Sequence, residues 1–444
     1  MRKPLIPIRT IRSLQRGEHG VTMILVALAM VAVIAMAALS IDVVTLYVSR
    51  DEAQRAADAG ALAAARVISL SGITASTTLD TDVPDWTQVC GGSSSLATEV
   101  ATAAAQENEI SGSAGTVTVK YSFGSGGART DCTSVSNDNF AVNPLVTVQV
   151  TQGSLPTLFS RIWSRSANSV SATATAEVLN PSDSAGVASG GLTIPVTPHC
   201  VKPWLIPNKD PINAGSTLVN TASGAITTPG IGGTATVGGS FTLTDACVGS
   251  NCSNVTGPGP AAGYYVPASV TSAASAFAAC ADDSLYQEAI GGCDVSTVYA
   301  CGNASNQTLV NLTTNPGGAG GDTSVATQCL IHQSGGSGQD TLNTGTYPFQ
   351  ITAGASNPIV SSGQLITASN SVVTIPIYDN STANLGTNND VTVVGFLQVF
   401  IDNVDNNGNL NVHVLNVAGC GNSASTSLSA PGTSPVPIRL ITPN

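Results

Sequence analysis

Residues 21–66 read VTMILVALAMVAVIAMAALSIDVVTLYVSRDEAQRAADAGALAAAR, and this stretch decides how the rest of the chain is placed. Its first part, Val21–Ile41, carries only Thr22 and Ser40 as polar side chains. As a helix it rises roughly 31 Å, about the thickness of a bilayer hydrocarbon core. Arg2, Lys3, Arg9, Arg12 and Arg16 stand before it, and Asp42, Asp51 and Glu52 follow it. The positive-inside rule then predicts a cytoplasmic N-terminus (residues 1–20) with the bulk of the chain outside. The alternative is a cleaved leader, because Ala35-Met36-Ala37 forms an A-x-A pattern behind basic residues. The apolar run is longer than a usual leader core and the helical pattern continues past it, which favours a retained span.

From Val21 to Leu70 there is no proline and one interior glycine, Gly60. The pattern predicts one membrane-spanning and extended helix over 21–70, roughly 75 Å long, with Gly60 costing about 1 kcal/mol relative to alanine. Ala53, Ala57, Ala61 and Ala65 recur every four residues, and Ala56, Gly60 and Ala64 form a second small row. Such rows let another backbone approach closely, so they mark a helix-packing face. Arg50, Asp51, Glu52, Arg55, Asp58 and Arg66 are left to face water.

Working outward, residues 71–180 read as a small α+β domain. Ser94–Ile110 has helical spacing, with Leu96, Val100 and Ala103 on one side. Thr116–Phe123, Leu145–Thr151 and Ser169–Val178 alternate with period two and predict strands. Leu155–Trp163 reads as a short amphipathic helix. Residues 181–191 have almost nothing to bury and read as a linker. Residues 192–444 predict a β-rich, cysteine-containing outer domain, with a helix near Ser272–Ala281 and its clearest strands at Ser371–Asp379, Asp390–Val404 and Asn409–Val417. Asn406-Asn407-Gly408 between the last two is a hairpin-turn signal. The expected class is α+β: a long transmembrane helix, a small α+β unit and a mainly-β unit with disulfides.

Charged residues make up 9% of the chain and aromatics 4%, unlike a charge-laced cytosolic enzyme. Eight Lys/Arg face five Asp/Glu in residues 1–70, a net of +3, which leaves −15 of the total −12 for the rest. So acidic a body repels phosphate backbones, and nucleic acid is excluded as a partner. Cys90 and Cys132 precede the linker; Cys200, Cys247, Cys252, Cys280, Cys293, Cys301, Cys329 and Cys420 follow it. An even number on each side suits intradomain disulfides in an oxidising compartment. The first two would staple loops of the small domain; the pairing of the other eight stays open.

Arg16–Arg66 resembles the N-terminal region of Tad (Flp) pilus-assembly proteins of the TadE/TadG type. There, a basic-Gly start leads into an apolar helix, an Asp, a Tyr and a Gln-x-Ala-Ala-Asp-Ala-Ala-Ala-Leu-Ala block. The positions that carry the likeness include Gly20, Asp42, Tyr47, Gln54, Ala56, Ala57, Asp58, Ala59, Ala61, Leu62 and Ala63. Gly60 stands where the family usually has Ala. Val146–Val178 is similar to the strand–helix–strand that closes the first, pilin-like unit of TadG-like proteins. The resemblance implies an inner-membrane anchor, a periplasmic or extracellular body, and other pilus-assembly or pilin-like proteins as partners. A prepilin-type cleavage after Gly17 or Gly20 would leave Thr22 or Leu25 at the fifth position, where pilins carry Glu.

No residue constellation points to catalysis, a cofactor or a small-molecule substrate. Several TadG-like proteins carry a D-x-S-x-S metal site, yet Asp294-Val295-Ser296-Thr297-Val298 and Asp322-Thr323-Ser324-Val325-Ala326 each lack the second serine. Asn403–Gly408 imitates a calcium loop but puts Val414 where a bidentate Glu is needed, so a polar hairpin tip is expected. Cys329-x-x-His332 and His199-Cys200 have zinc-like spacing without a C-x-x-C partner, so disulfide cysteines beside incidental histidines are expected. Asp282-Asp283 reads as a solvated face, and Asp42 as a residue marking the end of the span at the water interface. The expected function is a non-catalytic envelope component of the Flp pilus machinery; the alternative is an adhesin or envelope structural protein that uses the helix only as anchor.

Overall fold

Helix α1 (His19–Leu70) runs unbroken, as alanine, leucine and the lack of proline dictate. It stops where the Ser71 hydroxyl and N–H both return to the Ile68 carbonyl and Gly72 turns left-handed at φ 74°, a conformation side-chain-bearing residues resist. The computed structural model describes residues 19–72, 74, 85–123, 127–135, 144–155, 168–178, 196–198, 200–222, 224, 226–227, 236–247, 255–274, 280, 284–294, 297–300, 307–312, 321–346, 349–366, 368–419, 430–432, 436 and 438–442.

The first layer follows α1 closely. Helices α2 (Asp85–Cys90) and α3 (Leu96–Glu107) precede strands β1 (Thr116–Phe123), β2 (Pro144–Leu155) and β3 (Asn168–Val178). The three strands pair antiparallel in that order. Period-two alternation turns Val119, Tyr121, Val146, Val148 and Val150 inward, onto α1 and α3. Cys90 and Cys132 are bridged, with Cα atoms 5.5 Å apart. Of the short helix expected over Leu155–Trp163, Leu155 is instead the last residue of β2; the rest of it and the linker 181–191 lie outside the described residues.

The outer unit is built on β4 (Val196–Pro198), β5 (Trp204–Pro207), β6 (Ser240–Asp245), β7 (Tyr264–Pro267), β8 (Ala273–Ala274), α4 (Leu285–Gly291), β9 (Cys293–Asp294), β10 (Gln307–Leu309) and α5 (Asp322–Leu330). It continues through β11 (Thr341–Asn343), β12 (Gln350–Thr352), β13 (Leu365–Ile366), β14 (Val372–Tyr378), β15 (Asp390–Val404), β16 (Leu410–Gly419) and β17 (Ala430–Gly432), after which comes a last strand, β18 (Ile438–Ile441). Strands β15, β14, β5, β7, β6 and β16 pair in turn, and β16 pairs back to β15, so the ring closes into a six-stranded mixed barrel. Residues from all six strands meet in one core, among them Trp204, Leu243, Tyr265, Ile375, Leu397 and Val412, joined by Tyr286 and Ile290 of α4 and Ala326 and Leu330 of α5. A barrel this narrow is filled by side chains rather than hollow. Strands β11–β13 form a separate small sheet.

The class is as expected: a long apolar helix, mixed α/β content and a mainly-β remainder with disulfides. Cys200–Cys293 and Cys280–Cys329 are bonded, and Cys247 is also in a disulfide; Cys252, Cys301 and Cys420 lie outside the described residues. Two expectations change. Ala273 and Ala274, expected in a helix, pair with Asp294 and Cys293 as a short ladder, because a Ser/Ala run has no apolar stripe to hold it helical against a neighbouring strand. The chain end does not stay with the outer unit: β18 pairs antiparallel with β3 and becomes the fourth strand of the first sheet.

Candidate functional site

The long helix changes character along its length. Val21 to Val48 holds the run of exposed large apolar side chains, Met23 being 78% exposed and Val44 56%. Among the described residues this is one helix long and apolar enough to cross a membrane. From Ala53 onward the same helix is the spine of the first domain. Ala53, Ala56, Ala57, Ala61, Ala64 and Ala65 are all fully buried, and Gly60 is buried with them.

The second backbone that these small rows admit is the chain's own. A Cβ on Gly60 would lie 3.0 Å from the Ala101 carbonyl of α3 and 3.2 Å from Val148 Cγ1 of β2. Ala97, Ala101 and Ala105 present the complementary small face of α3. The rows therefore fasten the helix to its own domain and are not a free surface for another protein.

The other motif residues sit around this seam. Gly20 is in the first turn of α1. Asp42 is 4% exposed, so it is enclosed rather than facing the water interface as expected. Tyr47 is 66% exposed and borders, with Arg50, Ser169 and Ser171, a cleft of about 450 Å³ beside the helix. Gln54 Nε2 donates to Asp58 Oδ1 one turn on, at 2.8 Å, and to the Thr173 carbonyl of β3 at 3.4 Å. Leu62 packs on the core edge. Spacing in the sequence did not reveal a latch formed by the loop after α3: the Ser111 N–H donates to Glu52 Oε2 at 2.8 Å and the Ser49 and Ser111 hydroxyls lie 2.7 Å apart. Glu52, Asp58 and Arg66 are half-buried instead of facing water.

The remaining candidates serve the fold. Asp294 accepts from the Thr297 N–H and the Tyr299 hydroxyl; Asp322 accepts from Ser284 Oγ and Gln287 Nε2, tying α5 to α4. Asp405 closes the hairpin tip by accepting from the Asn407 and Asn409 N–H groups. Burial raises its pKa, but those bonds and the Asn409 side chain outweigh it and hold the carboxyl below its ordinary value. Cys329 and Cys200 are in disulfides, which removes the thiolates a zinc site would need, and His332 Nε2 faces Asn370 Nδ2 at 3.0 Å. Asp282, Asp283 and His199 lie outside the described residues. Among the described residues no three or more His, Cys, Asp or Glu converge on a point that could hold a metal ion. His413 Nδ1 and Asp402 Oδ2 face each other at 2.5 Å across β15 and β16.

A buried lysine and a half-buried aspartate stand out at the barrel. Lys202 Nζ donates to the Ile290 and Gly292 carbonyls at 2.6 and 2.8 Å, at the C-terminal end of α4, where a cation suits the helix dipole. Burial pushes its pKa down to about 7. Asp245 accepts from the Cys247 N–H through one oxygen, and among the described residues the other has no partner; burial pushes its pKa up to about 6.

The functional weight thus falls on α1, a bare apolar half continuous with a half welded into a domain. Residues 20–67 match the family model described as putative Flp pilus-assembly TadE/G-like. The Tad region coincides with both halves of α1 and ends three residues before the helix does. It supports a pilus-related role in the cell envelope, with the exposed half as a membrane anchor. No curated protein and no solved structure matches the chain.

Proposed function

We propose that the protein is a non-catalytic, single-span component of the inner membrane that takes part in assembling or anchoring a Flp pilus. The observation that carries this reading is the coincidence of the Tad region with a helix whose exposed half is apolar and whose buried half is the spine of a folded domain. The five basic residues before the span argue for a cytoplasmic N-terminus, and the disulfides argue for a body in the oxidising periplasm or outside the cell. Because Ala57 and Ala61 are used internally, contact with pilus components falls to the exposed half of α1 and to the outer surface of the body.

Gene deletion should abolish surface pili, and the full chain should restore them. A photo-crosslinking residue placed at Val26 or Ile34 should capture a pilus-assembly protein in living cells. Unchanged piliation after deletion would overturn the proposal. Normal pili combined with lost surface attachment would favour the adhesin alternative.

A further inference from the structure

A cavity of about 300 Å³ lies between the two units, walled by α1, α3, the β11–β13 sheet and β16. Its lining is chiefly aliphatic and aromatic: Leu96 and Val100 on one side, Leu342, Phe349 and Leu365 on the other. Leu96 and Leu365 are 37% and 65% exposed, so apolar surface continues to the mouth. Among the described residues Arg66 is the one charged residue in the lining. The chain has 27 acidic against 15 basic residues, yet among the described residues no carboxylate pairs with this guanidinium. Burial lowers its pKa, as expected of a cation desolvated without a counter-ion. An unpaired guanidinium in apolar walls is unfavourable alone and becomes favourable when an anion completes it.

We infer that this cavity binds an aliphatic monocarboxylate of about ten carbons, its carboxylate paired with Arg66 and its chain lying against Leu96, Val100, Leu342 and Phe349. The size follows from the volume at about 30 Å³ per methylene- or water-sized group. One guanidinium offers a two-donor fork that matches a single carboxylate, whereas a phosphate group carries more charge and more acceptors than this lining satisfies. A segment of another protein would need a longer groove than a space of this volume. Bound there, the ligand would bridge the helix spine and the outer unit.

The test uses the full chain in phosphatidylcholine nanodiscs with a ten-carbon carboxylic acid carrying a tail diazirine. After irradiation, mapped adducts should fall at Leu342, Phe349 or Leu365, while adducts on Val21–Val48 report probe dissolved in the bilayer and serve as the internal reference. Arg66→Met should lower the cavity adducts, relative to that reference, at least about tenfold. Excess decanoate should compete and decanol should not. Val100→Phe, which fills the cavity with Arg66 intact, should also remove the adducts, near-UV circular dichroism reporting that each variant is folded. Cavity labelling unchanged in Arg66→Met, equal competition by decanol, or adducts confined to the span would each overturn the inference.

Discussion

Asp245 ends β6 with one oxygen on the Cys247 N–H and the other without a partner among the described residues. Burial sets its pKa at about 6, the Cys247 bond pulling the other way, whereas an unfolded carboxyl titrates near about 3.9. Between those values the native state holds more protons than the unfolded chain, so stability falls as pH rises from about 4 to 6. The favourable contribution is complete below pH 4 and gone above pH 6. Asp245→Asn keeps the acceptor for Cys247 and cannot ionise. It is expected to raise stability at pH 7 by about 2 kcal/mol and to leave pH 4 nearly unchanged. Urea unfolding followed by near-UV circular dichroism at pH 4, 5.5 and 7 measures this; an equal gain at every pH would contradict it. Neither Asp245 nor Lys202 was legible in the sequence, because burial depends on strands and helices far away along the chain. Asp42 misled for the same reason: its position at the end of an apolar run implied water, and its surroundings enclose it.

At the scale of elements, local pattern served well. The span, α3, β1 to β3 and the β15–β16 hairpin all follow from periodicity and turn residues, and Gly408 takes the positive φ of 81° that the Asn-Asn-Gly signal implied. The face of α1 was legible as a small-residue seam; its partner was not, since a helix row does not say which backbone will meet it. Gly60→Val makes the seam testable. Its side chain would press on the Ala101 carbonyl and Val148, where Cβ alone already approaches within 3.0–3.2 Å. A loss of about 2–3 kcal/mol is expected despite the gain in helix propensity over glycine, read as a lower unfolding midpoint of the first domain with the span still inserted. A neutral outcome would mean that α1 and α3 can separate freely.

Across the whole molecule the two units are tied at several places. Asn416 of β16, fully buried, donates to the Ser69 carbonyl at the end of α1 at 2.8 Å. Gly72 leaves room for Val237 and the Leu415 carbonyl, each under 3 Å from where its Cβ would stand. The closing strand β18 brings Arg439 Nε to within 2.7 Å of Glu177 Oε2, and Glu177 has no exposed surface. Arg439→Met removes that cation from a buried carboxylate and should destabilise the first sheet by about 3 kcal/mol. Hydrogen exchange should show faster exchange on β3 than in the parent chain; unchanged protection would mean that β18 docks without the pair. The sequence by itself determined the long apolar helix and the strand alternation, because those depend on composition and on periods of a few residues. Only the tertiary structure decided that the alanine rows close on the chain's own sheet, that six strands close into a barrel, and that the C-terminal strand returns to the first domain. Those outcomes rest on contacts between residues as far apart as Glu177 and Arg439, which no local pattern encodes.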